Sequence, residues 1–461
     1  MLTETLKGRS RQVLERNWNG SHTRPSPPHY PDAFLWDSGW AAVINARRGE
    51  PERAAIELKT ILEGEDSETG FIPNRRLIGP INWRDLESWT FTEWGRSNYT
   101  QPPILPHAAL EVYNSLKRKG QVQQGEKFLQ AIYGETQAGK LSGLKGTYEY
   151  FGGHRENGNG SKLIGVIHPY ETGRDSDPSL QQGAFRIPHK GIIAKFTPLA
   201  AKTIPLINTA IDYGRIAKHN IRARIHGWKP KEVRDIYWVN DVMVNVIYAN
   251  NLRDMSRISN ELSNTKDSSS YSNLAEEVEK EILEKMWSQD NGFFYNLDKN
   301  GNQIPIASIS GLFPLTLEGI SQHQLSSLLD KLESPDWFDT PYPIPSLPVN
   351  SQFYDPHYDE KRMWRGPVWI NLNFLIAEEG IAKQLERFKD NEDLSRRLLG
   401  YLDHLVTKTE ELAEKSGFRE FYDPESGKGY RVKDFTWSIL ALFLDKSKAL
   451  LARRKNLAVA S

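Results

Sequence analysis

Helical periodicity is the feature of this 461-residue sequence that most restricts its fold. Segments with apolar residues three and four positions apart recur along the whole chain, whereas strictly alternating stretches are rare. The segment 51–63, for example, opens with Pro51, a favoured first-turn residue, and is followed by Gly64. We therefore predict an all-α protein with about a dozen helices and long connections between them.

The periodic segments give bounds for most of the elements. Helices are predicted at 4–16, 38–48, 51–63, 104–118, 122–133, 195–218, 239–252, 272–287, 322–332, 368–380, 393–413 and 435–450, with Asp434 as the N-cap of the last. A β-hairpin is expected at 292–305, turning at Asn300-Gly301, and the polar residues 263–273 are expected to form a mobile surface loop. No composition break marks a boundary, so residues 1–461 are predicted to form a single domain.

Composition and charge exclude several classes of protein. The 59 Lys and Arg balance 59 Asp and Glu, so the chain lacks the surplus of cations that nucleic-acid binding requires. It has no cysteine, which excludes disulfides, thiolate metal sites and a cysteine nucleophile. No apolar run approaches the roughly 20 residues of a membrane span, and the N-terminus lacks a secretion signal. We therefore expect a cytoplasmic protein with neither nucleic-acid nor membrane partners.

Aromatic residues supply the first indication of function. The chain has 13 Trp and 18 Tyr, and many of them lie beside Gly, Pro, Asp or Arg in segments without helical periodicity. Apolar rings next to polar groups suit a sugar, which has hydrogen-bonding edges and weakly apolar faces. In residues 30–40, Asp37 stands beside Trp36 and near Trp40. Asp37 could accept hydrogen bonds from sugar hydroxyls, or it could cap the following helix while the indoles enter the core.

An acidic loop at 167–178 contains three carboxylates, Glu171, Asp175 and Asp177, close to Arg174. Like charges held together in a partly dry pocket push at least one pKa upward. A carboxyl group that stays protonated near neutral pH is what a general acid requires. Composition alone favours the alternative, a solvated acidic turn in which Asp175 and Asp177 act as caps.

A second carboxylate candidate, Glu420, lies between aromatic residues in the alternating segment 417–427. A buried glutamate must be paired or functional, because burying a lone charge is costly. Arg419 is a possible structural partner. No pair of histidines at ligand spacing accompanies these carboxylates, so no metal is expected. The turn at 298–302 is rich in oxygen ligands but too short for a calcium loop.

Three other segments combine polar and aromatic residues just before a predicted helix. Residues 363–369 read MWRGPVW and could form either a sugar platform or a helix-start packing motif. Residues 99–103 and 237–242 would, taken singly, be interpreted as capping segments.

In this order, the segments resemble glycoside hydrolase family 63, and within it the short bacterial branch that includes glucosylglycerate and mannosylglycerate hydrolases. The matching motifs lie at 34–38, 101–103, 172–178, 363–369, 420–424 and 435–438, and the resemblance spans roughly residues 17–444. It implies an (α/α)6 barrel with long loops and minor β-hairpins. It also implies an inverting α-glycosidase that needs no cofactor and acts on a small α-glucoside or α-mannoside, such as glucosylglycerate or mannosylglycerate.

The resemblance further implies roles for individual residues. The general acid falls on Asp175 and the general base on Glu420. The residues expected to contact the substrate are Tyr30, Trp36, Asp37, Gln101, Asp241, Trp364, Arg365, Gly366 and Trp369.

The sequence also departs from the family pattern. Ser176-Asp177 replaces the usual Asn-Ser and adds a negative charge, Met363 replaces an aromatic residue, and segments 71–76 and 221–234 are unusually basic. The basic segments suggest an anionic aglycone such as glycerate, held by an arginine such as Arg75 or Arg234.

Two alternatives from other functional classes are considered. A sugar epimerase on a similar helical toroid would need histidine acid–base pairs, and none of the 11 His forms an obvious pair in the motif loops. A carbohydrate-binding protein that has lost catalysis would be consistent with the extra charge of Asp177 beside the acid. The oligomeric state is not predicted.

Overall fold

The computed structural model describes residues 4–78, 92–93, 96–134, 140–158, 160–180, 218–357 and 363–460. The predicted helix at 195–218 lies outside these residues except for its last position. None of the described helices combines the length and the hydropathy needed to cross a lipid bilayer.

The chain is mostly helical. The labelled α-helices are α1 (Glu4–Asn17), α2 (Leu35–Arg47), α3 (Pro51–Leu62), α4 (Leu105–Arg118), α5 (Val122–Tyr133), α6 (Gly143–Tyr150), α7 (Pro230–Val233), α8 (Val242–Glu261), α9 (Thr265–Glu281), α10 (Gln322–Leu332), α11 (Ile370–Leu375), α12 (Ala382–Arg387), α13 (Glu392–Ser416) and α14 (Asp445–Ala460). Residues 218–225 are also helical. The π-helical turns Phe151–Arg155, Ile282–Met286 and Ile376–Ile381 extend α6, α9 and α11, and 3-10 segments lie at Pro169–Thr172, Pro178–Leu180, Ile309–Thr316 and Thr436–Leu442.

The strands are short. They are β1 (Ala33–Phe34), β2 (Arg75–Arg76), β3 (Thr92–Glu93), β4 (Arg96–Ser97), β5 (Val239–Asn240), β6 (Trp287–Ser288), β7 (Phe293–Phe294), β8 (Leu297–Asp298), β9 (Arg419–Tyr422) and β10 (Gly429–Lys433). Strands β1, β2, β4 and β3 form one sheet in that order, and β5–β8, β6–β7 and β9–β10 form antiparallel pairs.

Six helical segments contact one another in a closed ring. Helix α2 packs against α4, α4 against α8, and α8 against Ile309–Thr316, which in turn contacts the π-helical turn of α11. Helix α11 contacts Thr436–Leu442, and that segment returns to α2 and closes the ring. Helices α3, α5, α9, α10 and α13 pack outside their neighbours in this ring. The result is an (α/α)6 barrel, as the resemblance predicted.

Inner and outer helices differ in sequence as their positions require. Nearly the whole of α2, from Leu35 to Ala46, is buried, whereas the outer helix α9 buries only Ala275, Val278 and Glu279. A helix that is surrounded by other helices must be apolar on all sides, and an outer one needs only a stripe. Gly39 in α2 allows close packing, because a Cβ there would collide with the side chain of Ile104.

The prediction of a mobile loop at 263–273 is wrong. Helix α9 starts at Thr265, and the side chain of Asn264 caps it by accepting a hydrogen bond from the backbone N–H of Asp267 at 3.1 Å. The serine and charged residues of this segment lie in the first turns of an outer helix that packs against α8. Polar composition alone does not distinguish such a helix from a loop.

The predicted helix at 435–450 is divided in two. Residues Thr436–Leu442 form a 3-10 segment and α14 begins only at Asp445. Asp434 is not an N-cap: its φ is +58°, and its carboxylate pairs with Arg9 at 3.3 Å and Arg16 at 2.8 Å.

The predicted hairpin at 292–305 is smaller than expected. The turn is present, since Gly301 N–H donates to the Asp298 carbonyl at 3.0 Å and Leu297 bridges Gln303. Strand β8, however, pairs with β5 from a distant part of the chain.

Candidate active site

A cavity of about 700 Å³ lies at the end of the barrel where α2 and α11 begin. Its wall includes both predicted catalytic carboxylates, and eight of the eleven predicted site residues line it: Tyr30, Trp36, Asp37, Gln101, Asp175, Trp364, Trp369 and Glu420. Residues that are remote in sequence meet here because the loops before successive inner segments emerge at the same end of the ring.

The start of α2 forms one side of the cavity. Phe34, in extended conformation, is the N-cap residue, and the Gln101 side-chain carbonyl accepts a hydrogen bond from Trp36 N–H at 3.0 Å. Asp37 stands in the first turn and is not the cap, so its carboxylate is available to the cavity it lines. Burial, together with the nearby charge of Glu420, raises the pKa of Asp37 well above its usual value.

The acidic loop distributes its three carboxylates to different places. Glu171 is buried and receives two hydrogen bonds from Arg155 at 2.8 and 2.6 Å. Asp177 is buried and pairs with Arg174, which leaves Asp175, an exposed residue, in the cavity wall. Glu171 and Asp177 are thus each paired with a buried arginine.

The charge of Asp177 is directed into the protein. Its Oδ1 accepts hydrogen bonds from Ser179 N–H at 2.8 Å and from the Ser179 hydroxyl at 2.7 Å. Burial raises its pKa, and the Arg174 guanidinium opposes that shift. The idea that Asp177 disturbs the acid, which motivated the alternative of an inactive binding protein, is not supported by this geometry.

Asp241 is a correction to the predicted substrate set. It is fully buried, pairs with Arg174, and caps α8 by accepting a hydrogen bond from Val244 N–H at 3.0 Å. It does not belong to the described residues that line the cavity. The segment before α8 is thus a capping segment, which was the alternative interpretation of residues 237–242.

Two indoles form an aromatic wall. Trp364 and Trp369 stack with ring centroids 3.8 Å apart and planes inclined by 3°. The backbone N–H of Trp364 donates to the Ser176 hydroxyl at 3.2 Å, which ties this wall to the loop that carries Asp175. Both Trp364 and Trp369 are almost fully buried and line the cavity.

Arg365 and Gly366, which are predicted to contact the substrate, are not among the described lining residues. Arg365 is buried, and its carbonyl accepts a hydrogen bond from Asp355 N–H at 2.6 Å. A Cβ on Gly366 would lie 2.7 Å from Pro356 Cα, so a glycine is required for close chain packing. These two residues shape the loop that holds the aromatic wall.

The β9–β10 hairpin carries Glu420 into the cavity. Its Oε1 accepts hydrogen bonds from the Tyr30 hydroxyl at 3.0 Å and from Arg431 at 2.9 Å, while buried Oε2 has no hydrogen-bond partner among the described residues. Burial raises the pKa of Glu420, and Arg431, Tyr30 and the backbone N–H of Val432 oppose the shift. The expected partner was Arg419, but that guanidinium donates to the Arg431 carbonyl instead, at 3.3 Å.

Sequence reasoning missed Arg431, which lines the cavity. Its position depends on an irregular register between β9 and β10, and no residue pattern predicts that irregularity.

The cavity is lined in part by basic residues. Arg24, His29 and Arg75 line it, and Arg75 is held by Asp32, whose Oδ2 lies 2.8 Å from Arg75 Nε and 2.7 Å from Arg75 Nη2. Arg234, the other predicted anion-binding residue, is not in the described wall: it donates to the Asn157 carbonyl and lies 5.3 Å above the ring of Trp238.

The described histidines form no acid–base pair in the cavity wall. His168 and His219 lie with ring centroids 5.3 Å apart, yet neither lines the cavity, and burial lowers the pKa of both. Within the described ranges, no group of three or more His, Asp or Glu side chains is arranged to hold a metal. At the 298–302 turn, Asp298 Oδ1 accepts hydrogen bonds from the N–H groups of Asn300 and Asn302 at 2.8 and 2.9 Å.

Comparison with known proteins agrees with this architecture. The sequence is 27% identical to the mannosylglycerate hydrolase of Thermus thermophilus over 94% of this chain and 98% of that protein. It is 24% identical to the mannosylglycerate hydrolase of Rubrobacter radiotolerans over 96% of each. The crystal structure of a family 63 mannosylglycerate hydrolase from Thermus thermophilus, in complex with Tris and D-glycerate, matches with a TM-score of 0.76 over 95% of this chain and 99% of that one, at 24% identity.

The profile of the mannosylglycerate hydrolase MGH1-like glycoside hydrolase domain matches residues 30–438. That range contains every predicted site residue, five of the six segments of the barrel ring and the start of the sixth, Thr436–Leu442. The chain therefore belongs to the mannosylglycerate hydrolase MGH1-like family and is a glycoside hydrolase.

Proposed function

We propose that the chain is an inverting α-glycosidase in which Asp175 is the general acid and Glu420 the general base. The observation that carries this proposal is that two carboxylates far apart in sequence line one cavity, together with four indoles: Trp36, Trp364, Trp369 and Trp437. Inverting glycosidases use such a pair on opposite sides of the scissile bond, with room for a water molecule between the sugar and the base.

The reaction needs two proton transfers. Asp175, in its protonated form, gives its proton to the glycosidic oxygen as the bond to the anomeric carbon breaks. Glu420, ionised, takes a proton from the water whose oxygen attacks that carbon from the opposite face. The proton on Glu420 and the ionised Asp175 then return to their starting states through solvent. The free sugar leaves with inverted configuration.

The remaining wall residues suit the sugar itself. Asp37 offers a carboxylate to adjacent hydroxyls, and Gln101 and Tyr30 add polar groups to the cavity wall. The stacked pair of Trp364 and Trp369 presents an apolar surface to a ring face. In this proposal, Asp37 and Trp36 hold the glycone while the two stacked indoles cover it.

The proposed substrate is an α-mannoside or α-glucoside of glycerate. The relatives' names support this class, and so do the basic lining residues Arg24, His29 and Arg75, which would attract a carboxylate aglycone. Asp32 fixes the Arg75 side chain against the cavity, so the guanidinium is held in place before the ligand arrives.

The test is an assay of sugar release from mannosylglycerate, glucosylglycerate, methyl α-mannoside and methyl α-glucoside. Asp175→Asn and Glu420→Gln should each lower kcat by about 10²–10⁴, the range typical of one acid–base group. Glu425→Gln is the matched control, because Glu425 is exposed in the β9–β10 turn and is absent from the described wall. Near-normal turnover by either carboxamide variant would refute the assignment.

A second variant tests the aglycone. Arg75→Gln should lower kcat/KM for the glycerate glycoside about tenfold or more while leaving the methyl glycoside unaffected, as expected for a lost charge-assisted contact. Arg76→Gln is its control, since the neighbouring Arg76 pairs with Glu63 and does not line the cavity. A wild-type enzyme with no preference for an acidic aglycone would exclude this substrate class.

A further inference from the structure

Arg431 occupies an unusual place in the hairpin that carries the proposed base. Strand β10 pairs Tyr430 with Phe421 and Lys433 with Arg419, so two residues of β10, Arg431 and Val432, stand opposite the single residue Glu420. This is the count of a β-bulge, a feature that redirects side chains and is common next to active sites.

The backbone of Arg431 is correspondingly irregular. Its φ is +53°, in the left-handed region that residues with side chains rarely adopt. Such conformations persist only where the surrounding structure imposes them, and they cluster at functional sites. Here the bulge places the Arg431 guanidinium against Glu420 and in the cavity wall.

The contacts of Arg431 converge on one oxygen of the carboxylate. Its Nη1 lies 2.9 Å from Glu420 Oε1, 2.5 Å from the Tyr30 hydroxyl oxygen and 3.1 Å from Met363 Sδ. The Tyr30 hydroxyl donates to the same Oε1 at 3.0 Å. In the described part of the chain no side chain donates a hydrogen bond to Oε2 of Glu420, and the backbone N–H of Val432 is close enough to the carboxylate to favour its ionised form.

We propose that Arg431 is the positioning residue of the general base: with Tyr30 it fixes Glu420 through Oε1, so that Oε2 alone takes the proton of the attacking water. Its charge also favours the ionised form of the buried carboxylate. This inference rests on the proposed role of Glu420 and adds the residue that orients it.

The charges around Glu420 define the expected pH effect. Tyr30 and Asp37 face it from the N-terminal segment and the start of α2, Arg431 faces it from β10, and Asp175 lines the same cavity. Asp37 disfavours ionisation of Glu420, and Arg431 favours it. Without Arg431, burial and Asp37 would raise the pKa of the base, so kcat/KM would be lost at a higher pH as the solution is acidified.

The experiment is a profile of kcat/KM against pH for the wild type, Arg431→Gln and Arg431→Lys, with the glycerate glycoside that the wild type cleaves faster. Arg431→Gln should move the acidic limb upward by about 1–3 pH units, the range for loss of one close opposite charge. Arg431→Lys should move it less, because a cation remains. Lys433→Gln is the matched control, since Lys433 is an exposed cation on the same strand.

Arg431→Gly is a second variant that removes the charge, and it should fold because glycine adopts a positive φ without strain. It should show the same displaced limb as Arg431→Gln. An equal loss of activity at every pH, with the limb unmoved in both variants, would overturn the positioning role.

A separate experiment tests whether Glu420 is the general base, on which the role of Arg431 depends. Glu420→Ala should be inactive and regain turnover with added azide, which can attack without a base. If Glu420→Ala is active without azide, Glu420 is not the base and both proposals fall. If azide restores the turnover of Glu420→Ala but the acidic limb of Arg431→Gln stays at its wild-type pH, only the proposed role of Arg431 is refuted.

Discussion

Two buried arginine–carboxylate clusters in this molecule use the same groups for opposite purposes. The sealed cluster consists of Arg174, Asp177 and Asp241, all nearly inaccessible to solvent. The open cluster consists of Arg431, Glu420 and Tyr30 at the cavity wall. In the sealed cluster, the carboxylates pair with Arg174, cap α8 and accept a hydrogen bond from Ser179 N–H. In the open cluster, no side chain among the described residues donates a hydrogen bond to Glu420 Oε2.

The difference shows how a fold separates stability from chemistry. A buried ionic network is favourable only when its members are satisfied, and an unpartnered buried oxygen costs free energy. That cost is tolerated where the oxygen has a task. We therefore expect changes in the open cluster to reduce turnover and changes in the sealed cluster to reduce stability.

The largest expected effect is on catalysis. Glu420→Gln keeps the size of the side chain but cannot accept a proton from water, so kcat should fall by about 10²–10⁴. Its free energy of unfolding, measured in urea at pH 4, should change by less than about 1 kcal/mol, because the replacement keeps an oxygen for Tyr30 and the raised pKa of Glu420 favours its neutral form at that pH. A large loss of stability with kcat preserved would reverse the contrast between the clusters.

Removing the arginine of each cluster should lower the free energy of unfolding more in the sealed cluster than in the open one. Arg174→Met leaves two buried carboxylates without their partner, and the free energy of unfolding should fall by about 3–5 kcal/mol. Arg431→Met is the matched comparison and should cost less, because the Arg431 side chain is 22% exposed and only one carboxylate loses its partner. Equal losses in urea unfolding would show that the sealed cluster has no special structural role.

A milder change tests the extra charge in the acidic loop. Asp177→Asn keeps an oxygen for Ser179 but removes the charge from the pair with Arg174, so stability should fall by about 1–3 kcal/mol. The kcat of the folded enzyme should be unchanged, since Asp177 is directed away from the cavity. A substantial change in the pH profile of this variant would place Asp177 in the catalytic machinery.

The last prediction concerns how the free energy of unfolding changes with pH. The pKa of Glu420 is raised in the folded protein, so the folded state binds this proton more tightly than the unfolded chain does. Wild-type stability should therefore fall, relative to Glu420→Gln, as pH rises from about 4.3 to the folded pKa, by about 1.4 kcal/mol for each pH unit between these two values. Unfolding of both proteins in urea at pH 4, 6 and 8 measures this. A difference that does not vary with pH would contradict a raised pKa.

The sequence predicted the elements that follow one regular period. Helices α3, α5 and α10 begin or end within a residue of the predicted bounds, because their apolar stripes face the ring and their ends have clear signals. Helix α9 was missed at its start, since an outer helix needs little apolar surface there. Asp434 was misassigned because a single aspartate before an apolar run resembles an N-cap even when the backbone turns away.

The residues of the candidate site also differ in how well the sequence predicted them. Eight residues expected from short motifs line the cavity, because those motifs lie in loops that the ring brings to one end. Asp241, Arg365 and Gly366 belong to the same motifs but support the loops from behind. Arg431 could not be predicted, because a bulge and a left-handed backbone, not a residue pattern, bring it to Glu420.

The most direct test of two carboxylates acting on a sugar and a water molecule is the configuration of the first product. Proton NMR during hydrolysis of mannosylglycerate or glucosylglycerate should show the β-anomer of the free sugar first, with the α-anomer appearing later by mutarotation. Early appearance of the α-anomer would mean retention, and would contradict the proposal that Glu420 delivers a water molecule.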